Sequence, residues 1–471
     1  MPFAEALGRN QGRALPGSGF TRLSKAHLLF LAALIMMGPT RSTWCEESFT
    51  DRLNASGACA IDIRIARALE ARLGQLFIVN VDGFGYSGPL AVHPSFVEMV
   101  KRLQVGGVIP HYGSSDFERI RRTNRALAAL TRLPLLVCCD IVTLSSGGRT
   151  ARFGDGYVGG FIGKHRGLAD GDFQTLAALN AFVFSALGMN TALGPTVDTS
   201  AGEARVQARA RTVTAQLRRF GIEPVLKHFP FLPKGANLHR ESRDTLVPVA
   251  EAARRVAVFR ELAGEGGILM TTHTFDSLVD KGSIVTFSPA WLELLRRETR
   301  YGGLLMTDGL LMLRNYAEKS VLGTDIAAPA INPKIDETAS WALRALLAGH
   351  DLIIVEGSAA ITTRVFEGLL RIACGNTETG KQLRERIERA YERVVRFKEA
   401  REELLRRQAE VPAAAIAAAV ALVPGDQDPA KFRFDAAATA RIQPELERAA
   451  ARRQLFPALT GWVKGLFRKE R

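Results

Sequence analysis

Asp308 ends an apolar run, Leu304-Leu305-Met306-Thr307, and glycines lie on both sides of it at 302, 303 and 309. A carboxylate in such surroundings costs free energy unless it is used or paired. Lys227 and His228 are placed alike, directly after Pro224-Val225-Leu226. A lysine at the end of an apolar strand is hard to explain as packing, because buried lysines are rarely tolerated unpaired. His239 follows in the next loop, and Asp82, Asp140 and His273 each close an apolar run of their own. Carboxylates, an ammonium and imidazoles brought to one place are the groups of acid–base and nucleophilic catalysis on a polar substrate.

The elements that must position these groups follow from the spacing. Apolar runs end in a polar residue at Leu76–Asp82, Gly106–Tyr112, Pro134–Asp140, Met189–Asp198, Pro224–His228, Gly267–His273, Gly302–Asp308 and Asp351–Glu356, with helix-like segments between them. Eight alternating units predict an α/β fold of the (β/α)8 TIM-barrel type, and catalytic groups of such barrels stand at the strand C-terminal ends. Asp82, Asp140, Lys227, His273 and Asp308 should therefore converge on one mouth. The 471 residues leave room for one barrel of typical size plus roughly two hundred further residues.

Composition narrows the class. Hydrophobic content of 47% with 43 glycines is ordinary for a globular α/β protein. The net charge of +14, from 62 Lys+Arg against 48 Asp+Glu, is spread over many arginine-rich helices rather than gathered in one run. No nucleic-acid-binding module is present: there is no paired CxxC spacing, no RNP-like aromatic sequence and no basic region with heptads. No histidine or cysteine cluster has metal-ligand spacing, so neither a metal nor another cofactor is expected. Of the five cysteines, Cys138 and Cys139 fall inside the third strand as small buried hydrophobes. Cys374 stands alone in the sequence, whereas Cys45 and Cys59 are close enough to pair in an oxidising compartment.

Both ends carry additions. Arg9, Arg13, Arg22 and Lys25 precede the short apolar run Ala26–Gly38, which suits the core of a secretory signal or an anchor. Residues 1–45 are read as that segment, which places the protein in the periplasm or on the inner membrane. The barrel is assigned to 46–400 and a basic helical extension to 401–471. Charge alternates at helical spacing from Thr377 to Arg407, predicting a long helix with an exposed face. The final segment, Leu455–Arg471, sets Leu, Trp, Val and Phe among Lys and Arg. That pattern suits an interfacial helix contacting a membrane surface, or equally a helix on the barrel's outer wall.

Several motifs in chain order resemble the family 3 glycoside hydrolases, and within them the single-domain β-N-acetylglucosaminidases. They are Gly74-Gln75-Leu76-Phe77, Gly106-Gly107-Val108-Ile109, Pro134-Leu135-Leu136-Val137 to Asp140 with Gly147-Gly148-Arg149, Gly194-Pro195-Thr196-Val197-Asp198, Lys227-His228-Phe229-Pro230, Met306-Thr307-Asp308-Gly309-Leu310 to Met312, and Ala348-Gly349-His350-Asp351. The resemblance spans roughly residues 60–400 and implies a retaining glycosidase acting on N-acetylhexosamine-containing glycan, such as fragments of peptidoglycan, with no cofactor. It makes Asp308 the nucleophile and His239 the proton donor, and gives Asp140, Arg149, Lys227 and His228 the substrate. The chain also departs from the pattern. Asn237 stands where the family has the aspartate that orients the catalytic histidine, and an amide cannot stabilise the imidazolium formed as the proton moves. The third-strand loop reads Val142-Thr143-Leu144-Ser145-Ser146 in place of the family's Glu before the glycines, and no copy of the family's DRSF arginine follows Thr199. Two readings stay open: an active glycosidase, or an inactive barrel that binds glycan or serves as an envelope scaffold.

Overall fold

The computed structural model describes residues 48–154, 161–162, 165, 167–197, 204–230, 249–264, 266–276, 279–315, 333–406, 411–423 and 434–467. Eight parallel strands close a barrel: β1 (Phe77–Asp82), β2 (Gly107–His111), β3 (Leu136–Cys139), β4 (Thr191–Ala192), β5 (Glu223–Phe229), β6 (Ile268–Thr271), β7 (Leu304–Gly309) and β8 (Leu352–Val355). Each strand pairs with its neighbours in chain order, and β8 returns to β1 through Phe77↔Ile353 and Val79↔Val355. The expected (β/α)8 architecture is thus present, with every predicted run contributing its strand. Strands covered on both sides must be apolar throughout, and β3 and β8 are buried at every position. The fourth run is the exception. Only Thr191 and Ala192 are ladder residues, Thr196 then touches Lys227 in a single bridge, and Asp198 lies outside the described residues.

Helices between the strands start where short polar side chains satisfy free N–H groups. Asp116 accepts from the N–H groups of Glu118 and Arg119, and Ser288 accepts from Trp291 with Pro289 in the first turn. At the mouth, the β1 and β2 exit loops meet backbone to backbone. Gly83 N–H donates to His111 O at 2.9 Å and Gly113 N–H to Ala91 O at 3.0 Å. A Cβ on Gly113 would sit 1.6 Å from the Gly83 oxygen, so only glycine allows this approach.

The floor of the barrel uses the charged helix. Residues Glu378–Ala400 form it, and its alternating charge does not simply face water. Leu383, Ile387, Ala390, Val394 and Phe397 are buried, and three basic residues reach under the strands. Arg393 joins Arg296 on the fully buried Asp351, each at 2.6 Å. Lys398, also fully buried, donates to Gln75 Oε1 and Gly106 O, both at 2.8 Å, and burial pushes its ammonium down to about 7. Arg401 pairs with Glu223 at 3.0 Å. Charge at this end, opposite the mouth, ties the helix to the barrel floor.

A hairpin, Ile141–Ser146 with Arg149–Gly154, rises directly after β3 and had been expected as a loop. Its turn is Gly147-Gly148, with φ of +56° and +78°, the two left-handed positions that a tight hairpin turn demands. Val142, Leu144, Ala151 and Phe153 form its buried face, and the helix Ala413–Leu422 packs against it. Phe49–Arg471 make one compact unit that includes this helix and the last one, Ala436–Phe467. Side chains beyond Ala451, and with them most of the proposed membrane-facing tail, lie outside the described residues, as do the apolar run at 26–38 and Cys45. Among the described residues no helix is long and apolar enough to cross a membrane.

Candidate active site

Asp308 stands at the mouth, one residue before the end of β7, with its side chain 15% exposed. Its Oδ1 accepts from Gly309 N–H at 2.8 Å, and Oδ2 lies 3.4 Å from His228 Nε2 on β5. Burial pushes this carboxyl up, but His228, His273, the Gly309 N–H and Lys227 together outweigh burial and hold it below the usual range. The group is therefore ionised at neutral pH inside a largely enclosed site, the state a nucleophilic carboxylate requires. Beneath it, the fully buried His273 donates from Nε2 to Gly309 O at 3.0 Å and meets the Thr286 hydroxyl through Nδ1 at 2.8 Å. Burial pushes the imidazole down, with Asp308 and Gly309 opposing. His273 thus braces the peptide that carries Asp308 and is buried away from solvent.

Lys227 and Asp140 form the second part of the site. Lys227 Nζ donates to Asp140 Oδ1 at 2.8 Å; Lys227 is 8% exposed overall, the Asp140 side chain 38%. The pair explains how a lysine is tolerated at a strand end, and it leaves one face of the carboxylate open to solvent or a sugar hydroxyl. Asp140 also lines a cleft of about 510 Å³ with Ile109, His111, Tyr112, Ser114 and Phe84. Phe84 is 73% exposed and is presented by a turn in which Asp82 Oδ1 accepts from its N–H at 2.7 Å. Asp82 is therefore at the mouth as expected, although its carboxylate is occupied in shaping the loop.

Of the six residues singled out from the sequence, Asp308, His228, Lys227 and Asp140 come together. The backbone of Arg149 sits at the far end of the hairpin, paired with Ser146 next to the turn. That is about 17 Å along the strand from the hairpin base beside Asp140, at about 3.3 Å per residue. The Arg149 side chain, His239 and Asn237 lie outside the described residues.

Glu356, immediately after β8, is the group that sequence reasoning left without a role. A Cβ on Gly309 would come within 2.5 Å of both its carboxyl oxygens, so its carboxyl lies against the backbone directly after Asp308. Its Oε2 accepts from Leu311 N–H at 3.2 Å. Burial first, then the neighbouring Asp308, raise the Glu356 carboxyl from 4.5 to about 7 against the pull of the Leu311 and Met312 N–H groups. The usable signal is Gly309 directly after Asp308, since any side chain there would meet the Glu356 carboxyl. Because the folded state holds this proton more tightly, the contribution to stability is full below about 4.5 and is lost as pH rises to about 7. Glu356→Gln should remove that slope, which amounts to about 2 kcal/mol once residual solvent contact is allowed for. Urea midpoints at pH 5 and pH 8 measure it. Identical pH dependence in wild type and variant would show that Glu356 carries no such proton.

An ionised aspartate thus stands at the end of the seventh strand, beside a histidine and a lysine–aspartate pair, at the end of the barrel where such folds keep their chemistry. Residues 68–397 match the glycosyl hydrolase family 3 N terminal domain, and the chain belongs to that family. Solved structures share the fold. A family 3 β-N-acetylglucosaminidase from Paenibacillus sp. str. FPU-7 superposes with a TM-score of 0.56 at 20% identity, over 81% of this chain and 68% of that one. LpqI of M tuberculosis gives 0.52 at 20% identity, over 72% and 97%. A fungal multi-domain family 3 β-N-acetylglucosaminidase gives 0.53 at 18%, over 72% of this chain; only 40% of that larger enzyme is covered. At these identities the likeness extends to the fold. No curated protein matches the chain.

Proposed function

We propose that the protein is a retaining β-N-acetylhexosaminidase with Asp308 as nucleophile. The observation that carries this reading is the carboxylate itself: held ionised at the barrel mouth, 3.4 Å from His228 and next to the Lys227–Asp140 pair. Asp308 attacks the anomeric carbon as the glycosidic bond breaks, and the leaving oxygen takes a proton from a general acid. Water then cleaves the glycosyl ester, returns a proton to that group and releases the sugar. Lys227, His228 and Asp140 hold sugar hydroxyls, Arg149 closes over them if the hairpin bends inward, and the exposed ring of Phe84 offers a face on which a pyranose can stack. His239 is the proton donor, and the substrate is a β-linked N-acetylhexosaminide from cell-wall glycan, met after export through the segment 1–45. The basic tail at 455–471 then contacts the membrane surface.

Asn237 favours a second reading, an inactive glycan-binding barrel. In the serine-protease triad, losing the carboxylate that orients the histidine costs about 10⁴ in rate. If His239 works with Asn237 beside it, turnover should be slow on glycans with poor leaving groups and disproportionately better on activated aryl N-acetyl-β-glucosaminides, which need little protonation. Asn237→Asp should raise the rate on the glycan and leave the activated substrate nearly unchanged. Glycan binding that survives Asp308→Ala, with no turnover of any activated substrate, would establish the inactive reading.

A further inference from the structure

Cys374, alone in the sequence, has a partner in space. It is the last residue of the helix Ala359–Cys374 and is fully buried, while Cys59 is half-buried in the segment that follows the helix Phe49–Ala55. Ala60 N–H donates to Cys374 O at 2.9 Å, which pins the two backbones side by side. Cys59 is also the ionisable neighbour that bears most strongly on the Cys374 thiol, with Glu70 and the Arg384 guanidinium within electrostatic reach. Arg384 in turn donates to Ala373 O at 2.7 Å and Gly375 O at 2.8 Å, so the end of the helix is held in place on both sides of the cysteine. A disulfide needs Cα atoms about 4.4–6.8 Å apart, and the hydrogen bond from Ala60 N–H to Cys374 O brings the two backbones together on that scale.

We propose that Cys59 and Cys374 are a disulfide site, which ties the N-terminal segment to the barrel's eighth helix when the protein meets a disulfide-bearing oxidant. This pairing replaces the Cys45–Cys59 bond that sequence proximity suggests. The less buried member reacts first: the Cys59 thiolate attacks one sulfur of the oxidant RSSR, forms a mixed disulfide and expels RS⁻. Cys374 then attacks the Cys59 sulfur, forms the protein disulfide and expels the second RS⁻. Two protein protons and two electrons leave as two RSH, so one RSSR is consumed for each protein disulfide formed. Burial pushes the Cys374 thiol up to about 12, which makes the second step the slow one. The other described cysteines do not compete, since Cys138 and Cys139 are shut inside β3.

The test uses the purified full chain incubated with oxidised glutathione. Thiols counted in denaturant should fall by two, and proteolysis without reductant should yield one peptide pair joining Cys59 to Cys374. The melting temperature should rise by about 5 °C or more, because the bond closes a very long loop of the unfolded chain. Reductant should reverse the rise, and Cys374→Ala should abolish it. A linkage of Cys59 to Cys45, a glutathione adduct left on Cys59 with Cys374 still free, or no loss of thiols would each overturn the proposal. Glycosidase activity is not part of the readout, so the result stands apart from the proposed reaction.

Discussion

Asp308→Asn should lower turnover of an aryl N-acetyl-β-glucosaminide by on the order of 10⁴-fold or more, with the fold intact. The amide keeps the size of the carboxylate and can still accept from Gly309 N–H, but it cannot form the glycosyl ester. Losing the anion also removes the partner facing His228 at 3.4 Å. Because the ionised form of Asp308 is stabilised by two histidines and a lysine, the variant should still fold but melt a few degrees lower. Kinetics of the variant with the activated substrate, beside a thermal scan, check both halves. Residual activity within tenfold of wild type would remove Asp308 from the reaction.

Asp140→Ala should produce the next largest loss. The substitution takes away the carboxylate 2.8 Å from Lys227 Nζ and, on the reading above, a contact to the sugar. A charge left poorly paired at 8% exposure shifts position as well as energy, and misplacement by about 1 Å at a reacting centre can cost on the order of 10²-fold. We expect kcat/KM to fall by about 10²- to 10³-fold. Stability should drop by only about 1–2 kcal/mol, because more than a third of the Asp140 side chain is in water. Asp140→Asn should recover part of the stability and little of the kcat/KM. A variant that loses stability with unchanged kcat/KM would make the pair structural.

Most of the barrel was legible because its strands are covered on both sides. Such strands are written as continuous apolar runs, and the first polar residue after each run marks the mouth, as Asp82, Asp308 and Glu356 do. What escaped was set by pairing rather than by pattern. The hairpin 141–154 carries the plainest turn signal in the chain, Gly147-Gly148 between alternating residues, yet the same glycines belong to the motif that resembles the family's third-strand loop. The charge alternation of 378–400 marked a helix correctly, but nothing in its period says that Arg393 and Lys398 reach under the barrel to Asp351 and Gln75. The contact between Glu356 and Gly309 joins two strand ends far apart in sequence, and the Cys59–Cys374 approach likewise depends on barrel closure. Of the site itself, the strand-borne residues Asp140, Lys227, His228 and Asp308 were readable because a strand end has one place to go. Arg149 was not, because a hairpin can carry its tip away from its base.

The central claim is a covalent one, so the most direct measurement is to trap the intermediate. A slow fluorosugar that keeps the 2-acetamido group and carries a good leaving group should glycosylate the enzyme through the anomeric carbon, with loss of the leaving group and formation of an ester. Mass spectrometry of the intact protein should show one added glycosyl unit, and the digest should place it on the peptide containing Asp308, with no label on Asp308→Asn. Turnover of the parent substrate with no adduct, or an adduct on any other residue, would contradict the account.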